Sequence, residues 1–101
     1  MAFVRAIKAV EVPPGTVCEL QIDGKTVALA NVGGKFYAIE NTCLHRGGPL
    51  GQGVLEDTRV TCPWHGWEYD VTSGKTVMNP AVGVGCYAVE VRGEDVFVDC
   101  G

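Results

Sequence analysis

The chain has 101 residues, enough for one domain around a single core and too few for a catalytic domain beside a cofactor domain. With 47% hydrophobic and 20% charged residues it is expected to fold as a globular protein, neither disordered nor membrane-spanning. Eight basic residues, scattered among twelve acidic ones for a net charge of −4, leave no patch to neutralise phosphates, which argues against nucleic acid or an anionic membrane as partner.

The first residues, Met1 to Lys8, meet charge before an apolar run can build, so neither a signal peptide nor a transmembrane helix is expected there and a cytoplasmic location is the reading. Val, Ile and Thr number 26 against 13 Ala plus Leu, a balance that favours strands. Leu20-Gln21-Ile22 and Val27-Ala28-Leu29 flank Asp23-Gly24 and predict a hairpin, and Phe36 to Ile39 follows Gly33-Gly34 as the next strand. Residues 41–85 differ from both ends because they hold both Trp, both His and two of the five Cys. Tyr87 to Val91 and Val96 to Val98 predict a closing hairpin with alternating faces. The expected fold is all-β, an antiparallel sandwich or barrel in one domain spanning 1–101. Its scaffold is about 1–40 and 86–101, and a site-bearing lobe is inserted at about 41–85.

Within that lobe, Cys43-Leu44-His45 and Cys62-Pro63-Trp64-His65 each pair a thiol with an imidazole, the donors that soft and borderline metals take from protein. Sixteen residues separate His45 from Cys62, room for a loop and a strand pair that bring the halves together. Zinc is the competing metal, since two thiols and two imidazoles also make a closed structural site. Zinc fingers, however, take both cysteines from one half and both histidines from the other. Cys18, Cys86 and Cys100 read as structural thiols, with Cys100, beside the C-terminus, expected to oxidise first. Glu11, Glu19, Glu90, Glu94 and Asp95 read as solvated faces of the scaffold.

The pair C-x-H and C-x-x-H, with Gly47, Pro49 and Leu50 after the first half and Gly66, Tyr69 and Asp70 after the second, resembles the Rieske iron–sulfur family over essentially the whole chain. The resemblance implies one [2Fe-2S] cluster, with Cys43 and Cys62 on one iron and His45 and His65 on the other. It also implies a proline-containing third loop near Asn79-Pro80-Ala81. A cluster with two neutral imidazoles is uncharged when both irons are ferric, whereas four thiolates would make it a dianion, so the mixed set accepts an electron more readily. High-potential members carry a cysteine in each loop, joined as a disulfide, and a serine after the second; here those positions are Gly48, Trp64 and Trp67. With Tyr69 the one hydroxyl donor, a potential at the low end of the family range is expected. Leu44, Pro49, Leu50 and Trp64 would form an apolar rim, and Trp67 is expected in the core.

The resemblance extends to the soluble ferredoxins of bacterial ring-hydroxylating dioxygenases. It implies a non-enzymatic, monomeric one-electron carrier between a flavoprotein reductase and a terminal oxygenase. A cluster-bearing small subunit of another oxidoreductase, such as a nitrite reductase, is the alternative. Oxygenation by this chain itself is opposed by the count of two histidines, because a mononuclear iron would need two more.

Overall fold

The computed structural model describes residues 2–44, 46–64 and 66–100. Strands β1 (Val4–Lys8), β2 (Thr16–Ile22), β3 (Lys25–Val32) and β4 (Lys35–Glu40) come first. The short β5 (Val54–Glu56), β6 (Arg59–Thr61) and β7 (Glu68–Asp70) follow, and β8 (Cys86–Arg92) and β9 (Asp95–Asp99) close the order. Asp23 and Gly24 both take positive φ, at 50° and 79°, as a two-residue hairpin turn requires, and they set Ile22 opposite Lys25 and Leu20 opposite Val27. Gly33 and Gly34 do the same between β3 and β4. Arg92 faces Asp95 across the turn at Gly93 and Glu94, which makes the expected closing hairpin.

Six strands form one antiparallel sheet in the order β1-β9-β8-β4-β3-β2, and β1 returns against β2 so that the sheet curls nearly shut. Strands β5, β6 and β7 form a separate three-stranded sheet. The fold is therefore all-β and antiparallel, as the composition implies. No helix among the described residues is long and apolar enough to cross a membrane.

Strand β3 is buried on both faces and serves two cores. Val27 and Leu29 pack with Ala38, Val96 and Val98 inside the curled sheet. Ala28 and Ala30 point the other way, with Ile39, onto Cys43, Leu50, Leu55, Val60, Cys62, Tyr69 and Val71. Alternation at period two places the two sets on opposite faces. The small alanines leave the second face low, so that the segment after β4 can close down on it. Leu50 is fully buried in this second core, so it belongs to the packing and not to the exposed rim the sequence suggests.

Candidate metal centre

Two loops approach each other over the second core, and their backbones close in the same way. In the first, the Cys43 N–H donates to Gly48 O at 2.9 Å and the Gly47 N–H donates to Cys43 O at 2.8 Å. In the second, the Cys62 N–H donates to Trp67 O at 2.7 Å and the Gly66 N–H donates to Cys62 O at 3.1 Å. Each cysteine thus bonds four and five residues ahead, and the residue four ahead is a glycine at positive φ, 74° for Gly47 and 78° for Gly66. A side chain would be strained at either glycine, which explains why both loops carry one there. The strand pair β5–β6, turning at Asp57 and Thr58, fills the interval between the loops and delivers Cys62 beside the first loop.

Both thiols are almost fully buried. Tyr69, fully buried on β7, ties the first loop to the sheet below: its hydroxyl accepts the Leu44 N–H at 2.9 Å and lies 3.3 Å from Cys43 Sγ. The phenol oxygen already accepts from Leu44, so its one proton is free to go to the sulfur. Burial first, and then the bond to Cys43, hold the phenol well above its ordinary range, so it stays protonated and a donor. The loops also touch at Gly48. A Cβ built there would lie 2.7 Å from Cys62 Sγ and 3.1 Å from the Trp64 ring, so the sulfur and the indole converge on a glycine that has no room for a side chain.

The first loop is anchored from behind by side chains that its sequence pattern does not announce. Asn41, buried, accepts the Gly51 N–H at 2.7 Å through Oδ1 and donates through Nδ2 to Glu19 on β2. The other Glu19 oxygen accepts from Gln52 Nε2 at 2.8 Å. Glu19 is therefore part of the loop's support and not simply a solvated face of the scaffold. Behind the second loop a third segment turns at Asn79, Pro80 and Ala81, held by the buried Thr76 hydroxyl, which donates to Asn79 O at 2.6 Å. Val77 and Met78 on this segment line a recess of about 220 Å³ with Gly66 of the second loop and Glu68 of β7.

Sequence reasoning brings Cys43 and Cys62 to one place, and the structure does the same. His45 and His65 lie outside the described residues. Among the described residues no three metal-ligating side chains converge. Leu44 and Trp64 are more than half exposed, as an apolar rim requires, and Met78 is more exposed still, at 66%. Met78 and Val77 were not anticipated, because an apolar pair in a loop carries no signal of its own. Trp67 packs against the second core as expected. Cys86 is the exposed thiol, whereas Cys100 is buried and its thiol pushed up by that burial, which reverses the expectation that Cys100 oxidises first.

Buried free cysteines often act as small hydrophobes. Here the pair occupies equivalent places in two matching loops, with a phenol proton directed at one sulfur. This donor set suits a thiolate-ligated metal group of the [2Fe-2S] kind.

A family model described as the Rieske [2Fe-2S] domain matches residues 2–91. The 3-phenylpropionate/cinnamic acid dioxygenase ferredoxin subunit of Shigella flexneri serotype 5b (strain 8401) is 38% identical over 102 residues, covering 98% of this chain and 94% of that protein. Among solved structures, the ferredoxin of carbazole 1,9a-dioxygenase from Nocardioides aromaticivorans IC177 superposes with a TM-score of 0.89 over 97% of each chain, at 29% identity. A complex of reduced oxygenase and oxidized ferredoxin in carbazole 1,9a-dioxygenase holds a chain that matches at 33% identity with a TM-score of 0.86, over 95% of this chain and 91% of that one.

Proposed function

The chain belongs to the Rieske [2Fe-2S] family and is an electron-transfer ferredoxin with one cluster; from that premise we propose that Cys43 and Cys62 hold one iron, that His45 and His65 hold the other, and that the reduced chain delivers its electron to a terminal oxygenase. The observation that carries the ligand assignment is the matched pair of loops, each closed by the same two backbone bonds around a buried cysteine. The relatives named as dioxygenase ferredoxins, one of them solved with its oxygenase, support the direction of transfer.

When bound, the cluster supplies a site that takes up and releases one electron. The chain's own residues govern how readily that happens. Tyr69 offers its proton to the Cys43 sulfur, which favours the more negative reduced state. Leu50, Val60 and Ile39 exclude water from beneath the loops. Leu44, Trp64 and Met78 present an exposed apolar surface beside the loops, suited to a docking partner, and Arg46 adds an exposed cation there. We read residues 41–85 as the cluster-binding lobe on a scaffold of 1–40 and 86–101. The chain works as a cytoplasmic monomer and receives its electron from a flavoprotein reductase.

Carrier and oxygenase are separated by a direct test. Coulometric titration of the purified chain should find one electron taken up per chain. Supplied with a chemical reductant, oxygen and an aromatic substrate, the chain alone should form no hydroxylated product, because both its imidazoles are assigned to the cluster. Hydroxylated product that depends on His45 and His65, and not on leaked peroxide, would overturn the carrier assignment.

A further inference from the structure

Gly48 stands at the junction of the two ligand loops, and its requirement for glycine is not conformational, since it is not among the glycines at positive φ. The requirement is space. Cys62 Sγ lies 2.7 Å from where its Cβ would be, and the Trp64 atoms Cγ and Cδ2 lie 3.1 Å from the same point. The same residue closes the first loop by accepting the Cys43 N–H at 2.9 Å. Gly48 thus joins Cys43 through its backbone and Cys62 through contact. Trp64 is 56% exposed, yet Cys62 beneath it is only 3% exposed. The half-exposed indole and the buried sulfur thus lie side by side against one buried glycine.

We propose that Gly48 and Trp64 form a seal that joins the two loops over the Cys62 sulfur and keeps water from it, with Gly48 as the seat and Trp64 as the cover. Trp64 is a positioning residue and is not a ligand. The inference rests on the assignment of Cys62 as a ligand. Its electrostatic consequence has a definite sign. A cluster of this ligand set is neutral when oxidised and negative when reduced. Water solvates the added charge better than an indole does, so opening the seal makes reduction easier and raises the potential. Admitting water and oxygen to the sulfur also speeds loss of the cluster.

The test compares Trp64→Ala, Trp64→Phe and Gly48→Ala with the unaltered chain, all assembled with the cluster. Iron and acid-labile sulfide are measured first on the unaltered chain; their absence contradicts the ligand assignment and the seal together. In a loaded chain, Trp64→Ala should show a higher midpoint potential by voltammetry and several-fold faster bleaching of the visible spectrum in air. Trp64→Phe, whose ring can still lie on Gly48, should stay close to the unaltered chain. Gly48→Ala, whose methyl group would meet Cys62 Sγ at 2.7 Å and the indole at 3.1 Å, should move the sulfur as well as its cover and so hold less iron and sulfide than either Trp64 variant. Far-ultraviolet circular dichroism of the native proteins should show the strands of all three variants intact. A loaded Trp64→Ala chain with unchanged potential and bleaching, or a Trp64→Phe chain as altered as Trp64→Ala, overturns the seal while leaving the ligand assignment standing.

Discussion

Tyr69 connects the sheet below the site to the electron above it. Its hydroxyl accepts from Leu44 and lies 3.3 Å from Cys43 Sγ, so Tyr69→Phe removes one donor to the sulfur without changing the ring that fills the core. A hydrogen bond worth about 0.5–1.5 kcal/mol more in the reduced state corresponds to a fall of about 20–65 mV, which voltammetry of the variant should show. Asn41→Ala leaves the Gly51 N–H without its side-chain acceptor and one of the two Glu19 oxygens without its Asn41 donor, and should cost about 1–3 kcal/mol in denaturant unfolding. Among the cysteines, Cys86 is exposed while burial raises the thiols of Cys18 and Cys100, so limited alkylation of the native protein should label Cys86 first, as peptide mass mapping can show. Cys43 and Cys62, the cysteines proposed as ligands, were legible because each stands close to a histidine in a loop-like stretch. Glu19 and Asn41 were not, because they meet across a separation in sequence that no local pattern encodes, and a lone Glu on a strand reads as solvated.

The longer hairpins were legible for the opposite reason: local chemistry decides them. Asp23-Gly24 and Gly33-Gly34 take the positive φ values that two-residue turns need, and the flanking apolar residues fix which face is buried. Strands β1 and β7 were not anticipated. β1 is paired irregularly with β9, its register shifting between Arg5 and Ile7, and β7 has three residues whose place is set by pairing with β6 and not by their own pattern. Space between elements is equally invisible in sequence. Gly53 ends the turn before β5, and a Cβ there would lie 2.0 Å from Thr61 O on β6. Gly53→Ala should therefore push β5 from β6 and destabilise the chain by about 1–3 kcal/mol, measurable by chemical denaturation. The iron content of that variant should fall with its stability, because β6 leads directly into Cys62.

For the whole molecule, an acidic chain of net charge −4 presents exposed apolar side chains and the exposed Arg46 beside the loops. Exposed apolar side chains at such a surface govern complementarity with a partner, whereas distant charges contribute little. Leu44→Ser and Met78→Ser should slow electron transfer to the oxygenase in stopped-flow mixing while leaving the spectrum unchanged, and Glu94→Gln, at the turn between β8 and β9, should leave the rate as it is. With Gly48 and Trp64 where a loop disulfide would stand and Trp67 where a serine would, the expected potential is near the low end of the family range, at about −150 to −50 mV. All of this depends on a centre held by two thiols and two imidazoles. The chain has only two histidines, so protein labelled with ¹⁵N-histidine carries the label at His45 and His65 alone. Pulsed electron paramagnetic resonance of the one-electron-reduced, labelled protein should show two coupled ¹⁵N nuclei. A paramagnetic centre without coupling to either nitrogen would contradict the assignment of His45 and His65 to the cluster.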